Sequence, residues 1–130
     1  MTSLQIGKLI YSLLLENPEI SGQVGERIFP IVADIETRFP FIIYKRINID
    51  TTNTKDRYTH SESVDIEIII ASESYNKSIG LAEIVRSVLE SKKLEYEGFK
   101  VQDIRLTGAS EDYTDDTFIQ NLTFNIQLNR

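Results

Sequence analysis

The last segment of the chain shows the clearest alternation of apolar and polar residues. From Thr117 to Asn129 the two kinds of side chain alternate almost without fault, which predicts a strand with one buried face and one solvated face. This segment is longer than the usual ~5–6 residues of a strand, so we expect it to bend or to overhang the sheet and pair elsewhere. Its apolar face consists of Phe118, Leu122, Phe124, Ile126 and Leu128. Its polar face includes Asn121, Thr123, Asn125 and Gln127.

Two earlier segments show the same alternation and predict a hairpin. Residues 41–49 form the first predicted strand, and residues 64–71 form the second, in which Asp65 and Glu67 face away from the isoleucines. The shared apolar face of the first strand is predicted to carry Phe41, Ile43, Ile47 and Ile49. The connecting residues 51–63 are almost wholly polar and without period, so we predict a long loop at the hairpin tip.

Helical spacing of apolar residues appears in two places. Thr2 and Gln5 have the spacing of a capping box, and the helix that follows should stop at Asn17, because Pro18 disfavours helical backbone there. Its apolar face consists of Ile6, Leu9, Ile10, Leu13 and Leu14. Residues 20–25, with two glycines, are predicted to form a turn.

The second predicted helix is Tyr75–Leu89, with Ser74 as its N-cap. Its buried stripe is predicted to consist of Tyr75, Ile79, Ala82, Val85, Val88 and Leu89. A third main strand is expected over residues 99–106, followed by an acidic loop over residues 108–116.

Together these elements predict the fold class. Each helix has one apolar stripe and the sheet has one apolar face, so a two-layer α+β domain buries all of them. We therefore expect residues 1–130 to form a single domain, with a mainly antiparallel sheet of about four strands and two helices packed on one face.

The composition of the chain argues against several classes of function. The chain of 130 residues has no cysteine, which excludes disulfides, thiolate zinc sites and thiol catalysis. Its formal net charge of −6 argues against a nucleic-acid-binding surface built from lysine and arginine. The first residues do not have the pattern of a signal peptide, and no apolar run approaches the ~20 residues that span a bilayer. No membrane association is therefore expected.

The sequence contains no convincing catalytic or metal-binding pattern. His60 is the only histidine and lies in the polar loop, so we expect it to be solvated. The acidic cluster of Glu111, Asp112, Asp115 and Asp116 lacks the spacing of a calcium loop. Asp65 and Glu67 could suit paired-carboxylate chemistry, but nothing in the sequence builds a pocket around them. We predict no catalytic residues, no metal and no cofactor, and hence no enzyme.

A segment with two prolines carries a family resemblance. Arg27-Ile28-Phe29-Pro30 and, after a loop, Phe39-Pro40-Phe41-Ile42-Ile43-Tyr44 resemble the tail completion, or tail-to-head joining, proteins of long-tailed phages. Residues 63–68, 71–75 and 81–86 and the last strand are similar to the same family, so the resemblance spans nearly the whole chain. Phe29 and Phe41 stand where tyrosine is common in that family.

The resemblance implies a structural protein of a phage or prophage that caps the tail tube and joins it to the head. Related tail terminators assemble as hexameric rings around the DNA channel. The partners implied are further copies of the chain, the major tail tube protein, the head-neck connector proteins and, non-specifically, passing DNA. Its location would be the tail or neck of the virion, after synthesis in the host cytoplasm. Two alternatives remain: a head-closure or adaptor protein that binds the portal, and a small ligand-binding α+β domain.

Two surfaces are the candidate sites. The hairpin loop is predicted to contact a partner through Lys55, Asp56, Arg57, Tyr58 and His60. The polar face of the sheet, which we expect to lack cations, is predicted to line the channel through Asp65, Glu67, Asn121, Thr123, Asn125 and Gln127. The alternative for this face is simple solvation.

Overall fold

Six strands form one mixed sheet in the computed structural model, which describes residues 2–51 and 61–129. The strands are β1 Ile28–Pro30, β2 Phe41–Thr51, β3 Ser61–Ser72, β4 Leu94–Tyr96, β5 Phe99–Thr114 and β6 Thr117–Asn129. The helices are α1 Ile6–Glu16, α2 Pro18–Val24 and α3 Tyr75–Leu89, and a 3-10 turn over Ser3–Gln5 precedes α1. The strand order is β1-β2-β3-β6-β5-β4, and the sheet curves into a half-barrel.

The predicted fold class is wrong in its sheet and in its helix count. Instead of about four antiparallel strands with two helices on one face, the described residues form six strands and three α-helices. Strands β1 and β4 have three residues each, which is too short for alternation to be visible in the sequence. Strand β1 also pairs parallel with β2, so the sheet is mixed.

Helix α2 occupies residues for which a turn was predicted. The side chain of Asn17 accepts hydrogen bonds from the backbone N–H groups of Glu19 and Ile20, at 3.0 and 3.1 Å. Pro18 takes the first helical position, where its missing N–H costs nothing. Asn17 therefore ends α1, as predicted, and at the same time begins a second helix that buries Ile20 and Val24.

A bulge in β2 reverses part of the predicted face assignment. Arg46 pairs with Ile66, but the next pair joins Asn48 to Asp65, so Ile47 has no partner and is exposed. Before the bulge Ile42 and Tyr44 face the core, and after it Ile49 does. The prediction that Phe41, Ile43, Ile47 and Ile49 share one apolar face is therefore wrong, because one extra residue shifts the alternation by one position.

Other predictions are confirmed. Strand β6 and helix α3 have the predicted bounds, and the side chain of Ser74 caps α3 by accepting a hydrogen bond from the backbone N–H of Lys77 at 3.3 Å. The predicted buried stripe of α3 is correct for Ala82, Val85 and Leu89 but wrong for Tyr75, which is exposed. Leu81, which was not predicted, is also buried. The core lies between the helices and the isoleucine-rich face of β3, and its largest side chain is Phe124 on β6.

Arg27 joins three parts of the chain at the edge of the sheet. Its Nε donates a hydrogen bond to the carbonyl of Pro40 at 3.1 Å, and its Nη2 donates one to the carbonyl of Gln23 at 3.2 Å. These bonds connect the end of α2 to the start of β2, immediately after the cis Phe39–Pro40 peptide bond. The arginine of the two-proline segment is thus a structural residue.

Tyr44, at the end of the same segment, packs against the first turn of α1. A Cβ atom added to Gly7 would lie 2.9 Å from Cε2 of the Tyr44 ring, closer than ordinary packing allows. Tyr11, one turn further along α1, also packs against this ring, at 6.3 Å between centroids. Gly7 therefore allows the tyrosine to fill the space between α1 and β2.

Two helical glycines give a matched test of this contact. An alanine at Gly80 in α3 would meet nothing within 4 Å, so Gly80→Ala should raise the free energy of unfolding by about 0.5–1 kcal/mol through helix propensity. Gly7→Ala should instead lower it by about 1 kcal/mol, because the added methyl group displaces the Tyr44 ring. Denaturant unfolding measures both, and equal stabilisation by the two substitutions would contradict the packing described.

Removal of the Arg27 side chain should also be costly. Arg27→Ala leaves the carbonyls of Gln23 and Pro40 without their charged donor and should lower the free energy of unfolding by about 2 kcal/mol. The control is Arg38→Ala on the exposed loop, which should change it by less than about 0.5 kcal/mol. If the two variants unfold at the same denaturant concentration, Arg27 does not hold this edge.

Candidate assembly surfaces

The structure describes one of the two predicted surfaces, the polar face of the sheet, but not the five loop residues of the other. The five loop residues predicted to contact a partner, Lys55, Asp56, Arg57, Tyr58 and His60, lie outside the described residues. The loop is shorter than predicted at both ends, because Thr51 belongs to β2 and residues 61–63 belong to β3. The six residues of the polar face are all described.

These six side chains share the face of the sheet opposite the helices. Asp65 pairs with Asn125 and Glu67 pairs with Thr123, so adjacent strands bring residues from distant parts of the sequence together. Asn121 and Gln127 continue the same face of β6 towards its two ends. All six are half-buried, because neighbouring side chains on the pleated sheet cover part of each.

Four polar side chains on this face bind one another, and we name them the amide ladder: Ser63, Asp65, Asn125 and Gln127. The Nδ2 group of Asn125 donates to Oδ1 of Asp65 at 2.9 Å and to Oγ of Ser63 at 2.7 Å. The Nε2 group of Gln127 donates to Oδ1 of Asn125 at 2.6 Å and to Oγ of Ser63 at 3.1 Å. The ladder uses much of its own hydrogen-bonding capacity, so this part of the face is polar without being strongly ligand-binding.

The expectation that this face lacks cations is wrong. Lys45 is paired with Glu67 across β2 and β3, and Arg105 is paired with Asn125 across β5 and β6. Both are exposed. The face therefore carries isolated cations beside its carboxylates, and mixed charge of this kind differs from the continuous basic surface that binds phosphates tightly.

The same face has an apolar end that the sequence did not reveal as a unit. Phe41 lies between Phe29 on β1 and Phe39 on the preceding loop, with ring centroids at 6.5 and 5.7 Å. Across the sheet Phe41 pairs with Ala71, which pairs in turn with Ile119. The bulge in β2 hid this arrangement, because Ile43 and Phe41 had been assigned to the core-facing side.

The predicted acidic loop over residues 108–116 is instead the end of a long hairpin. Strand β5 continues to Thr114, and only Asp115 and Asp116 form the turn, both with left-handed backbone. Two successive left-handed residues make the tight turn whose twist matches that of a hairpin, and aspartate tolerates this backbone well. Every residue of 107–116 is exposed, which explains why polar composition suggested a loop.

Aromatic and acidic side chains meet at this end of the hairpin. The hydroxyl of Tyr75 donates to the Glu111 carboxylate at 3.0 Å, and that of Tyr113 donates to Asp116 at 3.0 Å. Each hydrogen bond to a carboxylate raises the pKa of its tyrosine. Phe118 packs against both rings, with centroids at 5.7 and 4.7 Å.

The described residues present few sites for small-molecule chemistry. Within residues 2–51 and 61–129, no three His, Cys, Asp or Glu side chains are grouped so that they could hold a metal ion. In the same part of the chain, no helix has the length and apolar character needed to cross a bilayer.

Comparisons with known structures reveal the same fold in a virus-like particle. A chain from the virion of a native gene transfer agent particle matches with a TM-score of 0.76 and 14% identity, over 93% of this chain and 92% of that one. A second solved structure matches with a TM-score of 0.59 and 7% identity, over 100% of this chain and 97% of the other. At these identities the likeness establishes the fold alone.

Comparison with protein families is more specific. No curated protein matches the chain. The family described as Tail completion protein gp17, however, matches residues 8–128, which include the two-proline segment, both long hairpins and α3. The chain therefore belongs to the family of tail completion proteins, as its sequence motifs had suggested.

Proposed function

We propose that this protein caps the tail tube and joins it to the head, acting as a hexameric ring around the DNA channel. Residues 1–130 act as one domain in this role, and the role is structural rather than enzymatic. Family membership supports the tail assignment. The observation that carries the finer proposal is the amide ladder, a continuous polar strip on the face of the sheet that the helices do not use.

The amide ladder suits a surface past which DNA moves. Its side chains satisfy one another, and its neighbour Glu67 repels phosphate. Six copies at −6 each carry −36 in formal charge, so the ring as a whole does not attract the DNA backbone. The exposed cations paired with residues of this face, Lys45, Lys100 and Arg105, are separated along the strands and form no continuous basic surface of the kind that holds a phosphate chain firmly.

The partners on either side of the ring follow from this role. One side contacts the major tail tube protein and the other contacts the head-neck connector proteins, in the tail or neck of the particle. The fold shared with a chain of a gene transfer agent virion supports an assembly role of this kind. The portal-binding alternative predicts that the protein sediments with portal complexes rather than with tail tubes.

Charge on the proposed channel face should control DNA passage. The double substitution Glu67→Lys and Asn125→Lys adds three positive charges per copy to this face, and should lower infectious yield at least tenfold while particles still assemble. The matched control is Glu83→Lys with Asn76→Lys, which makes the same change on the exposed side of α3. DNA release from purified particles distinguishes a delivery defect from an assembly defect.

Unchanged DNA release and yield in the Glu67→Lys, Asn125→Lys variant would show that this face does not line the channel. A loss of yield in both variants would also count against the proposal, since it would reflect total charge rather than position.

The hairpin loop gives a separate prediction about joining. Thr51 pairs with Glu62, so residues 52–60 can be replaced by a short glycine-containing turn that closes the β2–β3 hairpin. We expect the variant to keep its circular dichroism spectrum and melting temperature, but unjoined heads and tails should accumulate in electron micrographs. Normal joining by a folded variant would refute a partner contact in this loop.

A further inference from the structure

The two edges of the sheet carry complementary features. One row of paired residues crosses five strands, from Pro30 on β1 through Tyr44, Ile68 and Leu122 to Ala109 on β5, and the first acidic residue of the hairpin end, Glu111, lies two residues beyond this row. At the β1 end of this row lies an apolar groove with basic side chains. At the β5 end lies the acidic end of the β5–β6 hairpin. The two features therefore lie on opposite edges of the sheet.

The hairpin end is an open edge with a strong negative charge. Strand β4 pairs with β5 only as far as Val101, and the backbone of Ser91 binds Ile104, so within the described residues the outer side of 107–114 has no strand partner. Four carboxylates lie here, and the chain contains no lysine or arginine between residues 106 and 129. Tyr113 is 54% exposed at the same place. A cavity of about 260 Å³ lies beside it, lined by Tyr75, Glu111, Asp112, Tyr113 and Phe118.

The opposite edge is apolar and basic. A groove of about 320 Å³ runs between the start of α1 and strands β1 and β2, and is lined by Leu4, Gln5, Gly7, Lys8, Pro30, Ile31, Tyr44, Lys45 and Arg46. Ile31, which lines the groove, is 69% exposed, and Val32, the next residue in the chain, is 71% exposed. Exposed apolar side chains beside a groove are typical of a protein contact. Three exposed cations border the groove: Lys8, Lys45 and Arg46, whose Nη1 also donates to the Leu4 carbonyl at 2.6 Å. Lys45 pairs with Glu67, so it borders both this groove and the polar face of the sheet.

Charge and shape together indicate that a second copy of this chain occupies the groove beside β1. A tyrosine and carboxylates on a projecting hairpin match an apolar groove bordered by lysines, because aromatic anchors fill apolar pockets and opposite charges set the register. A two-fold dimer through either edge would place carboxylates against carboxylates or lysines against lysines. A head-to-tail contact between the two different edges avoids both, and repeated contacts of this type form a ring when the rotation between copies closes.

We propose that the acidic end of the β5–β6 hairpin of one copy docks into the basic, apolar groove beside β1 of the next copy. Tyr113 lies against the apolar lining of the groove, and Lys8 and Lys45 face the carboxylates of residues 111–116. The proposal rests on the ring of the proposed function and identifies the surfaces that join its subunits.

The test uses purified protein, half of it labelled with ¹⁵N, added to tails assembled without it. A carbodiimide then couples lysines directly to carboxylates in contact, and mass spectrometry identifies the joined peptides. We expect peptides carrying one light and one heavy label that join Lys8 or Lys45 to residues 111–116. Inter-copy cross-links at other positions, or none at all on tails that have bound the protein, would overturn the docking.

Charge reversal with rescue gives a second readout. The groove variant Lys8→Glu with Lys45→Glu, and the hairpin variant Asp112→Lys with Thr114→Lys, should each lower the recovery of joined particles at least tenfold. Neither hairpin substitution changes the two left-handed turn residues. The chain that carries all four substitutions should regain most of the activity, and the control Lys92→Glu with Lys93→Glu should resemble the unsubstituted protein.

The outcomes separate this inference from the proposed function. If the unsubstituted protein does not sediment with tails, the proposed function itself is wrong. If it does so but the four-substitution chain is no better than the groove variant, only the docking of hairpin into groove is wrong.

Discussion

The pairing of β3 with β6 is the interaction on which the rest of the structure depends. Twelve consecutive residue pairs join the two strands, from Ser61 with Asn129 to Ser72 with Phe118. On one face this register places Ile66 beside Phe124 beneath α3, and on the other it places Asp65 beside Asn125. A slip of one residue would turn the isoleucines to solvent and bury the amide ladder, so the core and the polar face are fixed by the same set of hydrogen bonds.

An element of the fold could be predicted from the sequence only where it buries one face and exposes the other. Strand β6 and helix α3 were predicted with their correct bounds, because each buries one clear face and ends at a recognisable cap or turn. The far half of β5 was missed because it has no buried face, and hydrophobic periodicity reports burial rather than strand geometry. The bulge at Ile47 was missed because apolar residues stand at each of positions 41–44 and alternate again at Ile47 and Ile49, so a single unbroken alternation fits the sequence except at Lys45. The three-residue strands β1 and β4 exist because they pair with β2 and β5. Such long-range pairing leaves no signal in the local pattern of apolar and polar residues.

As a tail completion protein, the chain is a structural component of a phage-type tail that assembles with other parts of the virion. The parts of its sheet differ in chemical character. The helix-covered face provides stability, the opposite face has a polar strip and an apolar patch, and the end of the β5–β6 hairpin is acidic. The two-proline segment, which first indicated the family, is mainly structural: Arg27 and Tyr44 fix the edge beside which the basic groove lies.

The hairpin that projects from β5 and β6 also has a mechanical consequence. Strand β6 runs without interruption from the exposed turn at Asp115 and Asp116 into the centre of the sheet, with β3 on one side and β5 on the other. A pull on the tip along the strand direction is therefore resisted in shear, by many ladder hydrogen bonds at once rather than one after another. A subunit gripped by this hairpin would transmit force directly into its own core.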